Sequence, residues 1–157
     1  MRRKNTISMQ GTHAAIFNEK DKKIIAVLKE DGRATIKEIA ATTKLRPSTV
    51  HQRMQQLQKG SVIEYFTVKT NDHAMQEEFI IFLLIKGSTQ QYLTQSFLAD
   101  PRVKEVFGVT GEYDVLVKMK FSNVFEFNKC IIALRKENKN ITATLTMVGT
   151  ATIKEMI

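Results

Sequence analysis

The chain of 157 residues has a single cysteine, Cys130. No intramolecular disulfide can form, and a zinc site built on several thiolates is excluded. Cys130 falls in the apolar register of a predicted helix, which makes it a packing residue rather than a nucleophile. A reducing cytoplasm fits such usage. No apolar run approaches the roughly 20 residues that span a bilayer, and the opening MRRKNTISMQGTHAAIF has no apolar core resembling a secretory signal. Neither a membrane span nor a membrane partner is expected. No His/Cys/carboxylate cluster, Gly-rich phosphate loop or nucleophile–base pair stands out, so the expectation is a protein without metal or cofactor that is not an enzyme. The last shortage is local: between Asp31 and Glu64 the one acidic residue is Glu38.

What is present is positive charge, and it is concentrated. The net charge is +8, with 14 Lys/Arg against 6 Asp/Glu in residues 1–70 and 10 against 10 in residues 71–157. A general preference for Lys and Arg would have spread the excess, so the first half is expected to meet an anionic partner.

In LRPSTVHQRMQQLQKG, residues 45–60, Leu45, Val50, Met54 and Leu57 recur at roughly helical spacing and form an apolar stripe. Pro47 suits a first helical turn, where its missing N–H costs little. The other face carries hydroxyls, amides, one imidazole and cations. A solvated helix face is usually built from Glu and Lys in i,i+4 pairs. A carboxylate-free face suits a polyanion, and amides and hydroxyls can hydrogen-bond base edges. Two helices are predicted before it. EKDKKIIAVLKEDG has Ile24, Val27 and Leu28 on one face, with Asn18 as N-cap and Asp21 three residues on. TIKEIAATTKL has Ile36, Ile39, Ala40 and Thr43 inward and Thr35 as cap. Three short helices with a basic, polar third make a helix-turn-helix, winged-helix-like head the leading structural explanation, and the outer face of the third helix fits either double-stranded DNA or plain solvent. VIEYFTVKT should then be extended, leading to a polar hinge at NDHAMQEE.

Beyond the hinge the period changes. FIIFLLI, residues 79–85, reads as a strand buried on both faces. TQQYLTQSFLADP gives a helix with Leu93, Ser96 and Phe97 inward, stopped by Pro101. VKEVFGV and YDVLVKMKF are strands around a turn at Thr110–Glu112. SNVFEFNKCIIALRKENK is a helix with Phe127, Cys130, Ile131 and Leu134 inward, and ITATLTMVGT a last strand with Ile141, Ala143, Leu145 and Met147 on one face. The order β-α-β-β-α-β is the ferredoxin-like arrangement, which leaves one sheet face bare. The first strand does not alternate, so that bare face needs an apolar cover. A second copy of the sheet is the simplest cover, giving a homodimer through Ile80, Phe82 and Leu84. The chain is therefore read as α+β: a basic mobile tail (1–16), the helix-turn-helix domain (17–63), an extended segment and hinge (64–76), and the ferredoxin-like domain (77–157).

The run DKKIIAVLKEDGRATIKEIAATTKLRPSTVHQRMQQLQKGSVI and, in the second half, VKEVFGVTGEYDVLVKM, with its Thr-Gly turn and Tyr-Asp pair, resemble the Lrp/AsnC, or feast/famine, transcriptional regulators. The likeness covers residues 17 to about 154. It departs at Ser61, where the family usually has Gly, at Arg46, where a small capping residue is common, and in the hinge, where a frequent glycine is missing. The resemblance implies a DNA-binding regulator with a RAM or ACT-like effector domain, a small-molecule effector, commonly an amino acid, and assembly as dimers, tetramers or octamers. On helix 3 it points to Ser48, Thr49, His51 and Gln52 as base readers, with Lys44, Arg46 and Arg53 on phosphate. At the turn it points to Thr110, Gly111, Tyr113 and Asp114 as effector site. There Gly111 would let backbone amides approach a carboxylate, and Asp114 would hold an ammonium. The other reading of the turn is a hairpin in which Asp114 bonds the turn's own amides. Alternatives to a sequence-specific regulator are an architectural DNA-wrapping protein and an enzyme carrying an ACT-like module.

Overall fold

The computed structural model describes residues 17–87 and 93–155; the expected tail, 1–16, and the start of the predicted helix TQQY lie outside them. The chain divides into two compact units between Val68 and Lys69, inside the predicted hinge segment.

The first unit holds α1 (Glu19–Glu30), α2 (Ile36–Thr43) and α3 (Pro47–Lys59). Both expected caps form capping boxes: Asn18 with Asp21, and Thr35 with Glu38. Each box satisfies two amides that the first turn leaves without partners. The core consists of Ile24, Ile39, Ala40, Val50 and Leu57, with Leu45, Met54 and Ile63 packed against it. Leu45 lies before α3 rather than in it, because Arg46 is the extended N-cap and Pro47 opens the helix. At the other end of α3, Gly60 has an ordinary negative φ of −82° and Ser61 takes the left-handed conformation at φ 55°. The left-handed residue thus falls on the position where the glycine was replaced. Residues 64–70 form no strand: no neighbour within the described residues hydrogen-bonds to them as a ladder, and Tyr65, Phe66 and Val68 are exposed. In the turn that follows, Gln76 has φ 55°, so a left-handed residue is required near the missing hinge glycine too.

The second unit contains β1 (Phe79–Gly87), α4 (Gln95–Leu98), β2 (Val103–Gly108), β3 (Val115–Phe121), α5 (Val124–Glu137) and β4 (Ile141–Gly149). The sheet order is β2-β3-β1-β4 with every pairing antiparallel, the predicted ferredoxin-like topology. α4 is a single turn begun by Thr94, whose hydroxyl accepts from the Phe97 amide. Ser96, expected inward, is exposed, because its hydroxyl bonds to that of Thr94.

The two sheet faces separate by alternation. Ile81, Leu83 and Ile85 face the helices with Val115, Val117, Met119 and Phe121, packed by Phe97, Phe127, Cys130, Ile131 and Leu134. The Phe121 and Phe127 rings meet edge-on at 5.6 Å. Burial holds the Cys130 thiol above its usual range, as expected of a packing residue. Ile141 also joins this core, not the face of Ala143, Leu145 and Met147, since a register shift at Lys86/Gly87 reverses the alternation. The opposite face carries the row Phe107, Leu116, Leu84, Leu145 and, beside it, Phe82 and Met147.

Candidate nucleic-acid interface, candidate effector turn and open sheet face

Helix α3 is positioned by its apolar side. Val50 and Leu57 are buried and Met54 is half-buried, and α2 leads into it through Lys44, left-handed at φ 56°. Its other side presents Ser48, His51, Gln52, Gln55 and Gln56, all exposed, with Thr49 half-buried. Arg46 offers the first turn no side-chain cap, so the amides there remain open to an anion. Lys44, Arg46 and Lys59 are exposed. This brings together a cationic rim and a stretch of donors and acceptors without a carboxylate.

Four side chains on this helix are tied down, His51 with Gln55 and Arg53 with Gln56. His51 Nε2 lies 3.0 Å from Gln55 Nε2, one turn along the helix, so these two satisfy each other locally. Arg53, expected on phosphate, instead joins α3 to α1. Its Nε donates to Asp21 Oδ1 at 2.7 Å, a second donor reaches Oδ2, and Nη1 donates to Gln56 at 2.9 Å. Asp21 is fully buried and also accepts from the Asn18 amide. The Arg53 guanidinium holds the Asp21 carboxyl below the usual carboxylate range. A buried carboxylate needs such a cation to remain charged, so the guanidinium is committed to the fold. The signal in the sequence was Asp21 itself, three residues before Ile24 and on the apolar side of its helix.

At the turn, Thr110 and Gly111 are exposed, and Tyr113 and Asp114 half-buried. Gly111 has φ 134°, a conformation L side chains rarely adopt. Asp114 bonds not the turn's own amides but β1: its Oδ2 accepts from the Gly87 amide at 2.9 Å, while its backbone bonds Val109 and Ile85. The side chain therefore fixes the end of β1 against the start of β3.

On the open sheet face, Ile80 is buried and Phe82 and Leu84 are half-buried. At one end lies a network that the sequence reading missed. Lys120, 5% exposed, donates to both Asp72 oxygens at 2.8 and 2.9 Å and to Glu155, which Lys69 and Lys118 also reach. Lys120 holds the Asp72 carboxyl below its ordinary range. An even count of Lys/Arg and Asp/Glu in the second half was a weak sign of such internal pairing.

Comparison with known proteins separates the chain along the same division. Residues 17–58 match the AsnC-type helix-turn-helix domain, and residues 78–156 match the Lrp/AsnC ligand binding domain. The chain belongs to the Lrp/AsnC family. It is a transcriptional regulator of the Lrp/AsnC type, with a helix-turn-helix head and a ligand-binding domain. It is 34% identical over 141 residues, 88% of this chain and 93% of the relative, to the HTH-type transcriptional regulator FL11 of Pyrococcus horikoshii. The fold is also that of a transcriptional regulator from Neisseria meningitidis solved with L-methionine, at TM-score 0.82 and 21% identity over 88% of this chain and 93% of that one. A feast or famine regulatory protein from M. tuberculosis, also complexed with L-methionine, gives TM-score 0.80 and 20% identity over 88% and 95%. These Lrp/AsnC structures carry the same antiparallel α+β architecture as the second unit. No described helix is long and apolar enough to cross a membrane.

Proposed function

We propose that this Lrp/AsnC regulator acts in the cytoplasm, without enzymatic activity, as a homodimer that binds specific double-stranded DNA sites and responds to an amino acid. The single observation that carries the reading is the exposed face of α3, carboxylate-free, cationic at its rim and fixed from behind by Asp21 and Arg53. Gln52 is the residue best placed to pair with adenine, and Ser48 and Thr49 the hydroxyls nearest to it. Lys44 and Arg46 hold phosphate. His51 contributes through its bond to Gln55, and Arg53 by holding the helix. The apolar row on the open sheet face supports self-association through Phe82 and Leu84, which would place two heads on one DNA dyad. Tetramers or octamers would build on that dimer.

The effector reading rests on the open conformation at Gly111 and on the methionine bound by the two structural relatives. Thr110, Gly111 and Tyr113 would line the site. Asp114 would shape it by holding β1 in place, with its second oxygen left for an ammonium.

Footprinting tests the DNA reading: discrete protected half-sites support it, and uniform protection would make the protein an architectural DNA wrapper. A thermal-shift screen of amino acids, with and without DNA, tests the effector. No shift with any amino acid would remove that part.

A further inference from the structure

We propose that the outer face of α5 is a docking surface for an acidic, amphipathic helix of another protein. This goes beyond the DNA and effector reading.

The side of α5 opposite its buried residues carries Phe125, Lys129, Ile132 and Lys136. Phe125 is 74% exposed and Ile132 65%, and both lysines are exposed. Neither lysine forms an ion pair among the described residues. The two apolar residues are seven apart, as are the two lysines, a spacing of about 10 Å along the axis. The nearest acids of the helix lie on one flank of the stripe, Glu126 about 60° round from Lys129 and Glu137 about 100° from Lys136, and the Glu126 carboxylate accepts from the Ser122 amide at 3.4 Å. On the other flank Arg135 donates to Thr144 at 2.6 Å. The stripe is therefore an apolar seam of seven-residue period with a cationic edge.

In paired helices, residues flanking such a seam select the partner by charge. A complementary helix would place apolar residues seven apart and Glu or Asp opposite Lys129 and Lys136. A second copy of α5 does not provide this. Laid antiparallel it sets lysine against lysine; laid parallel it sets the lysines against Val124 and Ile131, which carry no charge.

The test uses the full-length protein and two synthetic helical peptides of three heptads, each with an apolar residue every seventh position, one flanked by Glu and the other by Lys. Fluorescence anisotropy should show wild type binding the Glu peptide at least tenfold more tightly than the Lys peptide. The Lys129→Glu, Lys136→Glu double variant should reverse that preference. Phe125→Ala with Ile132→Ala should lose at least tenfold affinity for the Glu peptide. Failure to bind the Glu peptide, equal affinity for both, or an unreversed preference would overturn the proposal. So would a change in the sedimentation of the peptide-free chain on replacing Phe125 and Ile132, which would assign the face to a second copy. DNA affinity, measured on the same preparations, should be unchanged in all variants. Loss of DNA binding by wild type would sink the regulator reading alone.

Discussion

The head and the sheet unit treat charge in opposite ways. In the head, apolar side chains are turned inward on Ile24, Ile39, Val50 and Leu57, and Lys44 and Arg46 stand exposed. In the sheet unit, Lys69, Lys118 and Lys120 are occupied by Asp72 and Glu155, and the exposed surface includes Phe107, Leu145 and Met147. A head with exposed, unpaired cations suits a polyanion; a sheet face whose Lys118 and Lys120 are paired and whose apolar rows are bare suits another apolar surface. The lesson is that charge balance by halves reports partner type only when the pairing within each half is known.

The largest expected effect breaks the apolar side of this comparison. Leu84 lies between Leu116 and Leu145 in the ladder, so Leu84→Asp would place a carboxylate in the buried face of a dimer. Burying an unpaired charge costs several kcal/mol, about 3 or more, which is a loss of at least about 100-fold in self-association. Sedimentation should show monomer where wild type is a dimer.

Next comes the pair of Arg53 with the buried Asp21. Asp21→Ala removes the partner of Arg53 and should destabilise the head by about 3 kcal/mol, the lower end for a buried pair because Arg53 is partly exposed. The pair also sets a pH dependence. Since the folded carboxyl lies below its unfolded value, its contribution is present above about pH 4 and is lost as pH falls through the folded pKa. Acid titration of head unfolding should show a steeper decline in wild type than in Asp21→Ala, where the lowered carboxyls of Glu19 and Glu38 remain.

Gln52→Ala should relax preference at one base pair by about 1–3 kcal/mol, read by competition among single-base variants of a site. Arg46→Ala should weaken all sequences alike and reduce the salt slope by about 0.9. An equal, uniform loss in both would leave Gln52 without a base-reading role. The smallest effect is a gain: Ser61→Gly should stabilise the head by about 1 kcal/mol, since Ser61 sits at φ 55°, and thermal unfolding would measure it.

Much of this was legible in the sequence. The capping boxes at Asn18 and Thr35, the inward residues of α5 and the strand order follow from local spacing and hydrophobic period. What was not legible depends on contacts far apart in the chain. Arg53 looks identical to Arg46 in a list of cations, and only the packing of α3 on α1 assigns it to Asp21, 32 residues away. VIEYFTVKT, read as extended, has strand-like side chains but no ladder neighbour among the described residues, and composition alone does not tell a paired strand from an unpaired extended segment. Ile141 was misplaced because a register shift is a property of two strands and not of one.

The division of labour between the halves is tested most directly by selecting DNA from a random-sequence pool with wild type and with Leu84→Asp. Wild type should enrich a two-fold symmetric sequence, with half-sites about one helical turn or a multiple apart, and Leu84→Asp a single half-site of the same sequence. No enrichment by wild type, or the same symmetric sequence from both proteins, would contradict the account.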